Sequence, residues 1–118
     1  MAPNWMGVSA GAEKIAEAVA AKGYVVLIAD LYGQSLRPGD ASQAGAAMMP
    51  LKDDRALLRK RMQAAFAALQ SQGEAAVDTS RLATFGFCFG GCCALELARS
   101  GAPVKAAVSF HGTLDTPN

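Results

Sequence analysis

The stretch from Arg81 to Arg99, RLATFGFCFGGCCALELAR, constrains this chain more than any other. Leu82 to Gly86 is a short apolar run bounded by polar residues, which reads as a buried parallel strand. Gly90-Gly91 then breaks the run. Cys92 to Ser100 follows at helical spacing, with Cys92 and Leu95 on one face, and is stopped by Gly101 and Pro103. Between strand and helix lies Gly86-Phe87-Cys88-Phe89-Gly90, a Gly-x-nucleophile-x-Gly turn with Cys88 where Ser usually stands.

That spacing has a steric cause. A residue lifted out at the top of a sheet needs a turn so sharp that its own backbone is strained, often with φ > 0. Strand and helix then pass so closely that the positions two before and two after it have no room for a Cβ. Gly86 and Gly90 meet that need and Gly91 extends it. The turn also sets Cys88 at a helix N-terminus, where the dipole and free N–H groups favour negative charge and can bind an oxyanion. The Phe89 N–H is the natural first donor. The plainer alternative is a tight strand–helix junction packed by glycines and a small, inert Cys.

At 118 residues the chain has room for one small domain, and 52% hydrophobic residues can supply a core. A net charge of +1 argues against nucleic acid and other polyphosphate partners. No apolar run approaches the roughly 18 residues of a membrane span. The N-terminus, MAPNWMGVSAG, lacks the basic and apolar regions of a signal peptide. The three cysteines, Cys88, Cys92 and Cys93, are clustered and odd in number, which fits reduced thiols in the cytoplasm. They have no second cluster, and His111 is the only histidine, so no metal and no cofactor are expected.

Along the chain, Ser9 should cap a helix over Ala10–Lys22, with Ile15, Ala18 and Val19 on its inner face and Gly23 as the stop. Tyr24–Ala29, YVVLIA, should be a central parallel strand, closed by the loop Asp30-Leu31-Tyr32-Gly33. Asp40 should cap a short helix through Met49, ended by Pro50 and lying over the site. Asp53 or Asp54 should cap a long helix to Gln70 whose inner face is Leu58, Met62, Ala65, Phe66 and Leu69. Its Arg55, Arg59, Lys60 and Arg61 read as a solvated face rather than an anion site. Val104–Phe110 should be a further buried strand ending in His111-Gly112, and Leu114–Asn118 shows no structure signals. Strands alternating with helices give an α/β fold, a mostly parallel sheet with helices on both faces and ligands bound beyond the strand C-termini. Asp30, Cys88 and His111 all fall at that edge.

With these pieces in place the chain resembles the dienelactone hydrolase family of α/β-hydrolases. Gly86-Phe87-Cys88-Phe89-Gly90-Gly91 fits the family's Gly-[Phe/Tyr]-Cys-x-Gly-Gly elbow. Gly23-Tyr24-Val25 with Asp30-Leu31-Tyr32-Gly33 fits its strand and loop, and Pro3-Asn4-Trp5-Met6-Gly7 fits the loop carrying the second oxyanion donor. The resemblance implies a partial α/β-hydrolase fold spanning residues 1–118 as one domain. It implies Cys88 as nucleophile and the backbone N–H groups of Trp5 and Phe89 as the oxyanion hole. Where the best-known members carry a Glu that engages the resting thiol, this chain has Asn4, which cannot take a proton. The family's triad Asp and His come after later strands, so they are expected outside this chain. His111 is read as a residue at a strand end near the pocket, and Asp115 as a neighbour with no assigned role.

The family's sheet also has a strand between those that Tyr24–Ala29 and Leu82–Gly86 would form. The chain therefore reads as a central piece of a longer hydrolase, with unpaired edges that would favour a homodimer. The implied substrate is a small lactone or activated ester. Two other readings stay open. One is a non-catalytic remnant that binds a ligand or partner through its sheet edge. The other is a flavodoxin-like redox or nucleotide-binding module using Cys88 and Cys92.

Overall fold

The computed structural model describes residues 1–117. Its sheet is built on β1 (Ala83–Phe87) and β2 (Ala106–Phe110), which pair in parallel with Ala83 opposite Ala106 and Phe87 opposite Phe110. The helix between them, α4 (Phe89–Arg99), packs on one face of both strands and against α3 (Arg55–Gln70). α3 in turn meets α2 (Ala41–Asp53). The core gathers Ala29, Leu31, Leu51, Leu58, Met62, Phe89, Cys93 and Leu97 around Ala2. Full burial of side chains such as Leu51 and Leu58 contributes about 1.5–3 kcal/mol each.

The helix starts follow local chemistry. Ser9 Oγ accepts from the Ala12 N–H at 3.1 Å and opens α1 (Ala10–Ala20). Asp40 and Asp54 do the same for α2 and α3, through Gln43 and Leu57. The inner face of α3 is the expected one, with Leu58 and Met62 buried and Ala65, Phe66 and Leu69 partly so.

Several expectations are corrected. On α1 the buried residues are Ala12 and Ala16, with Val19 half-buried and Ile15 and Ala18 exposed, so the buried face is turned toward the alanines. Pro50 does not end α2, which runs on to Asp53; the lost N–H bond falls in the last turns, and the burial of Leu51 holds the helix there. That helix packs on α3, with Leu51 and Met48 in the cluster that holds Phe89, and Met49 is exposed. α4 begins at Phe89, so Gly90-Gly91 lies inside the helix instead of breaking the chain. It is wedged between sheet and α3, which buries Cys92, Cys93, Ala94, Glu96 and Leu97 and leaves Leu95 only half-buried. Residues 114–117 have no regular structure, as expected, and Asn118 lies outside the described residues.

The largest correction is at Tyr24–Ala29, which forms no strand. A parallel strand exists only through its neighbours, and here the neighbour is two residues long. The Met1 amino group donates to Leu27 O at 2.8 Å, and the Ala29 N–H donates to Met1 O at 2.9 Å. On its other side the Ala2 N–H donates to Phe85 O at 2.8 Å, and Ala2 bridges Gly86 in parallel. Met1-Ala2 therefore runs between the two stretches at their C-terminal ends. Ahead of it lies a slot of about 420 Å³, with Tyr24, Val25 and Leu27 on one wall and Leu82, Thr84 and Phe85 on the other. Tyr24, Val25, Val108 and Phe110 are exposed.

Such unpaired backbone flanked by apolar side chains is a template for pairing with another chain. The 118-residue chain is expected to self-associate at micromolar concentration, as size-exclusion chromatography with light scattering would show. A monodisperse monomer with a cooperative melt would contradict this.

Candidate active site

β1 delivers Cys88 to the sheet edge and α4 starts immediately after it. Cys88 sits at φ +57 and ψ −120, outside both strand and helix regions, a conformation costing about 1–3 kcal/mol. It is exposed, whereas Cys92 and Cys93 are buried. Burial, and the neighbouring Cys92, push the Cys93 thiol well above its ordinary range. The Cys88 N–H donates to Phe110 O at 2.9 Å, carrying the β1–β2 ladder into the turn. Cys88 O accepts from the Gly91 N–H at 2.9 Å and begins α4.

The two glycines of the turn are required for a reason beyond the strand–helix approach. A Cβ on Gly86 would overlap Gly90 O, as the spacing predicts, and would lie 2.8 Å from Ala2 O. A Cβ on Gly90 would run into the carbonyl oxygens of both Ala2 and Pro3. The backbone of the N-terminal segment is thus laid directly on the elbow. That contact brings the Asn4–Gly7 turn to the sheet edge that carries Cys88. Gly91 and Gly112 leave space for Ser109 Oγ, a buried hydroxyl with no protein partner among the described residues.

In the Asn4–Gly7 turn the Gly7 N–H donates to Asn4 O at 3.0 Å and the Met6 N–H to Asn4 Oδ1 at 2.9 Å. Asn4 is exposed and is engaged in holding its own turn. Neither the Trp5 N–H nor the Phe89 N–H is taken by a protein acceptor among the described residues. A cavity of about 310 Å³ beside this turn is lined by Pro3, Asn4, Met6, Ile15 and Phe87. His111 follows Phe110 directly, at φ +46, and is exposed. Its ring centre lies 6.5 Å from that of Phe87, which stacks on Phe110 at 4.7 Å. Asp30, at the same edge, is held by Arg37 at 2.9 Å.

An ion cluster behind the elbow escaped the sequence reading. Glu96 of α4 is fully buried and accepts from Arg59 Nε at 2.6 Å, Arg99 Nη1 at 2.8 Å and Arg55 Nη1 at 3.3 Å. Arg55 is itself 5% exposed and also reaches Asp115, while Arg99 donates to Leu114 O. The three arginines therefore tie α3, α4 and the segment after β2 together. The expectation of a solvated face on α3 fails at Arg55 and Arg59 and holds at Lys60 and Arg61, which are exposed, and Asp115 gains the role of a partner to Arg55. Arg61 likewise donates to Leu31 O. The available signal was Glu96 itself, a lone carboxylate on an otherwise apolar helix.

The fold and the thiol-bearing elbow define a partial α/β-hydrolase. The chain belongs to the dienelactone hydrolase family, whose model matches residues 1–118. It is 34% identical, over 96% of its length and 44% of the relative's, to a probable 2-oxo-3-(5-oxofuran-2-ylidene)propanoate lactonase of Bradyrhizobium sp. It is 47% identical over 58 residues, 48% of this chain and 35% of the relative, to the uncharacterized protein K02A2.1 of Caenorhabditis elegans. Among solved structures, a dienelactone hydrolase-like promiscuous phosphotriesterase from metagenomic libraries superposes with a TM-score of 0.88 at 41% identity, over 98% of this chain and 48% of that one. A structure named m3DLH gives 0.88 at 43% identity with the same coverage. The chain spans less than half the length of each of these relatives.

Removing Glu96 should leave three guanidinium groups without their shared partner. Arg59 and Arg99 keep some contact with water, so Glu96→Ala is expected to cost about 3 kcal/mol, the lower end for a broken buried pair, read as a fall in the urea midpoint. Burial alone would raise the Glu96 carboxyl, but hydrogen bonds from Arg99, Arg59 and Thr116 outweigh it and hold the group below its ordinary value of 4.5. A carboxylate lowered in the folded state stabilises above its unfolded value and loses that contribution as pH falls through the folded one. The stability gap between wild type and Glu96→Gln should therefore narrow as pH drops below 4.5. A gap that stays constant would show that the carboxylate charge is not what binds α3, α4 and the segment after β2.

Proposed function

We propose that this chain carries the nucleophilic centre of a thiol hydrolase for small lactones or other activated esters. The observation that supports it is the exposed Cys88, strained at φ +57 on a helix N-terminus, followed by the unclaimed N–H of Phe89, with the unclaimed N–H of Trp5 on the segment laid against the elbow glycines. The lactonase and phosphotriesterase among its relatives support the same class, since both reactions need attack on an electrophilic centre and stabilisation of developing negative charge on oxygen.

In this reading the Cys88 thiolate attacks the carbonyl carbon, the C–S bond forms, and the π electrons move to oxygen. The N–H groups of Phe89 and Trp5 hold that oxyanion. Collapse expels the alcohol oxygen with its electron pair and leaves an acyl-enzyme. Release of the acyl group needs a base to activate water. The base and its orienting carboxylate would come from sequence outside these residues, in the chain order nucleophile, Asp, His. His111 is an exposed residue at the strand end, and Asn4 lines the neighbouring cavity.

The three free thiols support a cytoplasmic location, and no helix among the described residues is long and apolar enough to cross a membrane. The open sheet edges support a homodimer, and the weak net charge argues against nucleic acid. The redox-module reading has little to stand on, because Cys92 is 1% exposed and held inside α4.

With p-nitrophenyl acetate the chain should release one equivalent of p-nitrophenolate per Cys88 and then stop. The acetyl group should map to Cys88, and Cys88→Ala should abolish the burst. Acetylation of Cys92 or Cys93 would refute the nucleophile assignment. Sustained turnover that disappears in His111→Ala would show His111 to be the base.

A further inference from the structure

We propose that Tyr32 is the positioning residue of the oxyanion hole, setting where the Trp5 N–H points; this rests on the reading of Cys88 as nucleophile and the Trp5 N–H as oxyanion donor. The Tyr32 hydroxyl donates to Trp5 O at 2.8 Å, across 27 residues of sequence. Its ring lies against the same turn: a Cβ on Gly7, which sits at φ +72, would come within 2.9 Å of Tyr32 Cδ2 and 3.1 Å of Cε2. Tyr32 therefore holds the turn at two points, by its ring at Gly7 and by its hydroxyl at Trp5.

The rest of the turn explains why that hold matters. The Met6 and Gly7 N–H groups are both spent on Asn4, so the Trp5 N–H is the donor left over. Its upstream side is fixed where Ala2 and Pro3 lie on Gly90. Its downstream side is closed only within the turn, by the Gly7 and Met6 N–H groups on Asn4, and Trp5 and Met6 are half-buried. The Trp5 N–H belongs to the Asn4–Trp5 peptide, whose oxygen is held by the Gly7 N–H, and Gly7 and the Trp5 carbonyl are the two points at which Tyr32 grips the turn. If either hold were loosened, the turn could shift and carry the Trp5 N–H away from the oxyanion forming at Cys88, and displacements of about 1 Å at a reacting centre are enough to slow a reaction markedly. Burial, with Cys93 nearby, pushes the Tyr32 hydroxyl up to about 12, so the group stays a donor throughout the neutral range.

The bland alternative is a core tyrosine that has satisfied its hydroxyl at the nearest carbonyl. The two differ in what removal of the hydroxyl does to different reactions of the same sulfur. Acylation by p-nitrophenyl acetate builds negative charge on a carbonyl oxygen and needs the hole. Alkylation by iodoacetamide displaces iodide at a saturated carbon and does not. In Tyr32→Phe, in whatever assembly the chain forms and at mildly alkaline pH, Cys88 acylation should slow by about tenfold, a fraction of the loss for deleting a donor outright. Cys88 alkylation should stay within about twofold of wild type, as expected where no oxyanion forms. Gly7→Ala, which pushes on the ring, should show the same split and serves if Tyr32→Phe gives no soluble protein. Equal slowing of both reactions would make Tyr32 merely structural and overturn the inference, as would unchanged acylation. A wild-type chain that alkylates at Cys88 but is never acylated there would instead bring down the nucleophile and oxyanion reading on which the inference stands.

Discussion

The contact on which this structure depends is backbone against backbone: Ala2 and Pro3 laid on Gly86 and Gly90. No side chain separates them, so the distance between the N-terminal turn and the elbow is set by the peptide groups alone. That closeness places a strained Cys88 at the start of α4 on the same sheet edge as the turn carrying Trp5. It also gives Gly90 a reason of its own beside the strand–helix approach that Gly86 meets. A single methyl group at Gly90 would have to push the N-terminal segment off the helix, and interiors packed this tightly do not yield cheaply.

Rigidity around the site comes from two polar devices rather than from more hydrophobic area. Behind the elbow, Glu96 gathers Arg55, Arg59 and Arg99, which fixes α4 against α3 and pins the segment that follows His111. In front, Tyr32 holds the Asn4–Gly7 turn. The first is a buried charge cluster, whose value lies mainly in what is lost when one member is removed. The second is a single hydrogen bond of the ordinary kind, worth about 0.5–1.5 kcal/mol. A modest energy is enough to settle where one short turn lies.

What could be read from the sequence was whatever local geometry dictates. The elbow at Gly86–Gly90 and the caps at Ser9, Asp40 and Asp54 each depend on residues within a few positions of one another. The Leu58-Met62-Phe66 face of α3 was legible because helical periodicity fixes it. Tyr24–Ala29 has the composition of a buried strand and is not one, because a strand needs neighbours and, among the described residues, its backbone partner is Met1. Arg55 and Arg59 of α3 were misread for a related reason. Periodicity says which residues share a face, but not that another helix sets a buried Glu opposite. The Tyr32–Trp5 bond spans 27 residues and left no trace in spacing or composition.

The central claim is that Cys88, Phe89 and Trp5 form one acyl-transfer site. Its most direct test is a crystal structure of the protein after reaction with a trifluoromethyl ketone or aldehyde, which would add to the thiol and leave an oxyanion in place. The account predicts a single adduct on Cys88, with its oxygen about 2.7–3.1 Å from both the Phe89 and the Trp5 nitrogens. An adduct on Cys92 or Cys93, or an oxygen turned to solvent away from Trp5, would contradict it.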